Sequence, residues 1–183
     1  MNHILDSCKK QFVKYKLLGE KAMAQLDEKS LFIENVSGAN SIAVIVQHLH
    51  GNMLSRWTDF LVSDGEKDWR KRDEEFEPIL NNLSELKKKW KEGWDCLFKA
   101  LDDLKEEDLN KIVYIRNQKQ RVFDAIQRQI AHYAYHIGQI VYIGKMMLGD
   151  HWKSISIPKN ESKSYNFRLL SEQENDSPSD RLP

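Results

Sequence analysis

Residues 120–148, QRVFDAIQRQIAHYAYHIGQIVYIGKMML, carry the longest periodic pattern in the chain. Ile126, Ile130, Tyr133, Ile137 and Ile140 recur at steps of three and four, which aligns apolar side chains along one stripe of a helix, and Val141 and Ile143 continue the apolar pattern. One helix over about Gln120–Leu148 follows. Three further segments repeat the pattern. The first runs from about His3 to Leu26 through Ile4, Phe12, Leu17, Leu18 and Ala22. The second starts at the capping candidates Asn40 and Ser41. It carries Ile42, Ile45, Val46, Leu49, Met53, Trp57 and Phe60 before Asp64–Gly65 stops it. The third opens near Pro78, a residue suited to a first helical turn, and continues through Leu80, Leu83, Leu86, Trp90, Trp94, Leu97 and Leu101. Four helices of this kind predict an all-α fold, an up-and-down four-helix bundle.

The intervening segments are shorter or more polar. Ile112–Gln118 reads as an extended loop or small hairpin, and residues 64–77 as a long charged connector. Beyond Lys153 the chain turns polar. The expected organisation is a bundle domain over 1–152 and an irregular C-terminal tail over 153–183, with Ser177–Pro183 disordered.

Composition bounds the function. With 183 residues the chain has the length of one domain, at ~150 residues each. Its 28 basic residues balance 28 acidic ones, so it lacks the basic excess of a nucleic-acid binder. Only 8 Gly and 4 Pro occur, too few for a turn-rich sandwich. Apolar runs such as Ile42–Val46 fall far short of the ~20 residues of a membrane span. The opening MNHILDSCKKQF has charges where a signal peptide needs its apolar stretch. Cys8 and Cys96 fit no metal or redox spacing and read as two free thiols. A cytoplasmic protein with no nucleic-acid or membrane partner is expected.

The six histidines carry the functional signal. His132 and His136 lie four apart, so their imidazoles point the same way one turn apart. Helical rotation sets them roughly 100° from the centre of the apolar stripe, flanking the core beside Ala125, Gln129, Gln139 and Ile143. His48 and His50, two apart, diverge by roughly 200° and cannot both face one site. His50 lies nearer the apolar centre, whereas His48 shares a stripe with Asn52, Ser55 and Asp59. Periodicity narrows a third ligand to one of these two without choosing. A hydrogen-bonded or interfacial role for all of them is the competing reading, and spacing alone favours it. His3 and His151 read as surface residues.

Two stretches, SIAVIVQHLHGNMLSRW (41–57) and RQIAHYAYHIGQIVYIGKMM (128–147), resemble the DinB/YfiT-like superfamily of metalloenzymes. The match rests on the His48–Leu49 pair and on HxxxH at His132/His136 followed three residues later by Gln139, and it covers about residues 1 to 150. The resemblance implies one divalent metal, commonly nickel or zinc, held by His48, His132 and His136; His50 has no counterpart and stays in the core. It also implies frequent homodimers, and thiol-dependent transferases, isomerases or hydrolase-like activities acting on small molecules. The charged connector and the Ser154–Pro158 segment mark an uncharacterised branch.

Three imidazoles leave coordination positions open, as a catalytic centre requires. An ion so held lowers the pKa of bound water to ~7 or stabilises a thiolate, so hydrolase and thiol S-transferase use the same residues. Asn52, Asp59 and Gln139 are candidates for orienting the rings. Arg70 and Arg72 are candidates for holding the carboxylates of a low-molecular-weight thiol such as a bacillithiol-type cosubstrate. The simpler reading of their segment is a solvated connector pairing with its own acids. Lys87–Lys91 reads as a solvated helix face. The alternative from another class is a non-catalytic dimeric bundle with structural histidines.

Overall fold

The computed structural model describes residues 3–34 and 37–175. Among them the chain forms α1 (His3–Met23), α2 (Glu28–Phe32), α3 (Ile42–Trp57), α4 (Leu83–Asp102), α5 (Val122–Leu148) and α6 (Ser162–Asn175). A hairpin of β1 (Ile112–Ile115) and β2 (Gln118–Arg121) precedes α5. The architecture is a packed helical bundle in which α3 lies against α4 and α1 against α5.

Local chemistry sets the helix starts. The Ser41 hydroxyl accepts the Val44 N–H at 3.2 Å, and the Asn82 carbonyl oxygen accepts the Glu85 N–H at 2.9 Å, each satisfying a donor the helix cannot. Every residue from Ile42 to Leu49 is buried, so α3 is the central rod. Each long helix sends one aromatic to a common centre: Phe12 from α1, Trp57 from α3, Trp94 from α4 and Tyr133 from α5. Phe12 meets Trp57 edge-on at 6.0 Å, and Tyr133 lies 5.8 Å from Phe12 and 5.9 Å from Trp94. The Trp57 indole N–H donates to the Tyr133 hydroxyl at 3.0 Å, and that hydroxyl donates to Asn52 Oδ1 at 3.1 Å. This chain fixes α5 against α3 next to His132.

The four-helix expectation needs corrections at the edges. The second rod stops at Trp57 and does not reach Phe60, because Thr58 turns extended and Asp59 adopts a left-handed conformation at φ 51°. The third begins at Leu83, not Pro78. Residues 74–77 are held to α3 by the Gln47 amide, which donates to the carbonyls of Glu74, Glu75 and Glu77 at 2.9–3.0 Å. α2 is a single turn, too short for periodicity to register. The Ile112–Gln118 segment is a hairpin whose turn residues Arg116 and Asn117 both have positive φ, the type I′ arrangement that matches strand twist. Asp64 clips the connector to this turn by accepting the N–H groups of Arg116 (2.8 Å) and Asn117 (2.7 Å). The tail read as irregular contains α6, and its end, Ser177–Pro183, lies outside the described residues. No helix of the described residues is long and apolar enough to cross a membrane.

Trp94 is fully buried at the point where the four aromatics meet. Trp94→Ala is expected to lower unfolding free energy by about 3–5 kcal/mol, measured by urea denaturation.

Candidate metal centre

α5 carries His132 and His136 on one side, and the packing of α3 against it brings His48 to them. The ring centroids lie 5.4 Å (His48–His132), 4.8 Å (His48–His136) and 4.9 Å (His132–His136) apart. One ring nitrogen from each falls within 4.8 Å of the others. His48 Nε2 and His132 Nε2 are 3.4 Å apart, the separation two nitrogens have when each lies ~2.1 Å from one tetrahedral ion.

Each outer nitrogen meets an acceptor. His48 Nδ1 donates to the Glu75 carboxylate at 2.9 Å, His136 Nδ1 to Gln139 Oε1 at 2.8 Å, and His132 Nδ1 faces Gln129 Oε1 at 3.4 Å. A proton fixed on Nδ1 leaves Nε2 with a free lone pair, the tautomer a metal needs. His136 Nε2 is buried with no hydrogen-bond partner among the described residues. The donor set is therefore three imidazole lone pairs facing one another with no proton donor among them, and a divalent cation fits that chemistry. Imidazole suits Zn, Ni, Cu and Fe alike.

Glu75 organises the site. It lies in a short 3₁₀ turn, Asp73–Phe76, pressed onto α3. Arg70 grips its carboxylate with two bonds, Nε at 2.7 Å and Nη2 at 2.8 Å, and the Arg70 side chain is only 2% exposed. The space for that carboxylate exists because residue 51 is glycine: a methyl there would overlap Glu75 Oε1. Phe76 stacks on the His48 ring at 4.7 Å, and Tyr135 lies 4.1 Å from the His136 ring.

Burial sets the electrostatics. Desolvation, then mutual repulsion, depresses His132 to about 3, and desolvation takes His136 to about 4. Both are neutral at pH 7. Burial opposes the Glu75 charge, but hydrogen bonds from Arg70 and His48 outweigh it and hold its pKa below the ordinary value.

The three rings open onto a cleft of about 440 Å³ whose other lining includes Asn52, Phe76, Tyr135 and five arginines: Arg56, Arg70, Arg72, Arg116 and Arg128. A larger hollow of about 750 Å³ between α1, α2 and α4 is lined largely by apolar groups such as Leu31, Leu86 and Trp90 and contains no histidine or cysteine.

The remaining expected site residues divide. Gln139 bonds His136 directly. Asn52 is buried at the cleft, where its Oδ1 accepts from the Tyr133 hydroxyl. Asp59 is exposed in the turn after Trp57, beside Cys96 and Lys99, because the helix that would have carried it onto the His48 stripe has ended. Arg70 is buried in the Glu75 clamp, so the connector is not simply solvated, while Arg72 is half exposed at the cleft with its guanidinium 5.1 Å from the Phe76 ring centroid. His50 sits outside the centre and pairs with Glu92 at 3.2 Å. His3 and His151 are exposed.

Glu75, Phe76, Tyr135, Arg56, Arg116 and Arg128 were not legible as site residues. Glu75 lies in the run Asp73–Glu77, where nothing in spacing separates it from Glu74. Gln129 had a signal: it precedes His132 by three residues as Gln139 follows His136 by three.

The family model described as "Protein of unknown function (DUF1572)" matches residues 1–161. A comparison with curated proteins finds no match.

Two outcomes follow from this geometry. Glu75→Gln and Gly51→Ala, each disturbing the His48 anchor, are expected to weaken zinc binding about 10–100-fold in a chelator competition. In the metal-free protein, His132 and His136 take protons near 6.5 when unfolded and only near 3 and 4 when folded. The unfolded chain then binds more protons across that window, so stability present above pH ~6.5 is lost as pH falls toward ~4. The urea midpoint should drop between pH 7 and pH 5, and the double variant His132→Gln/His136→Gln should flatten that dependence.

Proposed function

Because the chain belongs to the DUF1572 family, whose description names no activity, we propose its function from the site: a divalent-metal-dependent enzyme of the DinB/YfiT-like kind. It acts as a low-molecular-weight-thiol S-transferase or a related hydrolase. The observation that carries this reading is the inward-facing Nε2 set of His48, His132 and His136, with His136 Nε2 buried and unpartnered. These three residues would hold the ion, with zinc or nickel as the metal.

A bound divalent ion supplies Lewis acidity at the positions that three imidazoles leave open. The chain's own residues do the rest. Burial keeps the His132 and His136 rings neutral, so their lone pairs are available without displacing protons. Glu75, Gln129 and Gln139 fix the tautomers, and Arg70 holds Glu75 in turn. Phe76 and Tyr135 cover two of the rings with apolar surface, which limits water around them. The Trp57–Tyr133–Asn52 chain keeps α3 and α5 at a constant separation, so the rings keep their spacing.

The competing reading is a dimeric, non-catalytic bundle whose histidines are structural. Elemental analysis of protein purified without a histidine tag separates the two. The metal reading expects close to one equivalent of zinc or nickel after reconstitution, and less than about a tenth of an equivalent removes it. His136→Ala should abolish metal uptake while costing the metal-free protein only on the order of 1 kcal/mol in stability. Large destabilisation of the metal-free variant would support the structural role instead.

A further inference from the structure

The chain holds eight arginines and twenty lysines. Among the described residues five arginines and no lysine line the cleft over the three histidines, in a protein with no net charge. Arginine presents a planar fork matched to carboxylate and phosphate oxygens, whereas lysine is a point charge.

The five have different duties. Arg70 is committed to Glu75. Arg56 is 7% exposed and donates to the Gly65 carbonyl and to Glu66 Oε2 at 3.2 Å. Arg116 shares Glu66 at 3.2 Å. That leaves two guanidiniums at the cleft without a matched acid. Arg128 makes no ion pair among the described residues. The acid nearest Arg72 is Asp73, 3.7 Å away and fully exposed, too long and too solvated to neutralise it. Among the described residues no acidic one lines the cleft. An unneutralised cationic mouth above three clustered imidazoles has an evident complement.

We propose that the substrate of this site is a small anion, and that Arg72 and Arg128 bind its carboxylate or phosphate oxygens at the cleft mouth. This deepens the metal-enzyme reading and rests on it for the chemistry at the histidines, but the anion site is built by residues that hold no metal. The volume, about 440 Å³, suits a small molecule. Arg70, placed with Arg72 in this role by sequence, is instead a positioning residue for Glu75, and Arg128 takes its place.

The test is calorimetric titration of the metal-free full-length protein with succinate, with inorganic phosphate, and with succinamide as the uncharged analogue, in ~0.15 M salt. Succinate or phosphate should bind, succinamide should not, and the tighter of the two anions identifies the class. Arg72→Gln/Arg128→Gln should weaken anion binding at least about tenfold, and Arg72→Lys/Arg128→Lys several-fold as the fork is lost. Arg168→Gln, on α6, should leave it unchanged. Absence of binding by either anion to the wild-type protein overturns the proposal, as does unchanged binding by the glutamine pair. A short single-stranded DNA that binds more tightly than both anions through the same two arginines overturns the small-molecule assignment. Zinc content separates the two readings. Arginine-dependent anion binding in a protein that takes no zinc removes only the metal enzyme, and a zinc-loaded protein indifferent to anions removes only this site.

Discussion

The buried carboxylate of Glu75 ties the charged connector to the centre of the bundle. It accepts from His48 on one side and from both arms of Arg70 on the other, in a space left open by Gly51. Burying a carboxylate is costly unless it is paired, and removing one partner from such a pair typically costs about 3–5 kcal/mol. Residues 70–76 are therefore bound to α3 by an interaction that is expensive to break. The three carbonyls that accept from Gln47 secure the same stretch through its backbone. The His48 tautomer, the floor of the cleft and the late start of α4 all depend on that anchorage.

Hydrogen-bonded order extends outward from this pair in two directions. Toward the core, the rings rest beside a chain of buried polar groups, Trp57 to Tyr133 to Asn52, which crosses between α3 and α5 where the four aromatics meet. Toward solvent, Glu66 collects Arg56, Arg70 and Arg116, and Asp64 collects backbone amides from the hairpin turn. The connector, the hairpin and α3 thus form one polar wall. The opposite wall, from α5, supplies His132, His136, Tyr135 and Arg128. Guanidinium groups ring the mouth of the cleft, and at its floor burial keeps His132 and His136 unprotonated.

The legible part of the site was the part written on regular helices. His132, His136 and Gln139 share one side of α5 at spacings that rotation alone predicts, and His48 lies on the flanking stripe of α3. Continued rotation past Trp57 would put Asp59 on the same stripe as His48, but the backbone turns there and carries it away. The sequence offers Arg70 as a ligand-binding candidate or a solvated charge, whereas its buried side chain is committed to a glutamate five residues later in an irregular segment. No periodicity relates two such residues.

Four amphipathic rods, the side on which each is apolar, and the common direction of two histidines on α5 can all be read along the chain, because they follow from a rotation of about 100° per residue. Packing of the whole chain set His48 and not His50 beside that pair, recruited Glu75 from among neighbouring acids, and gathered five arginines from distant segments around one cleft. Those outcomes depend on which surfaces are buried together and on the need to pair every buried charge, and both are properties of the packed molecule.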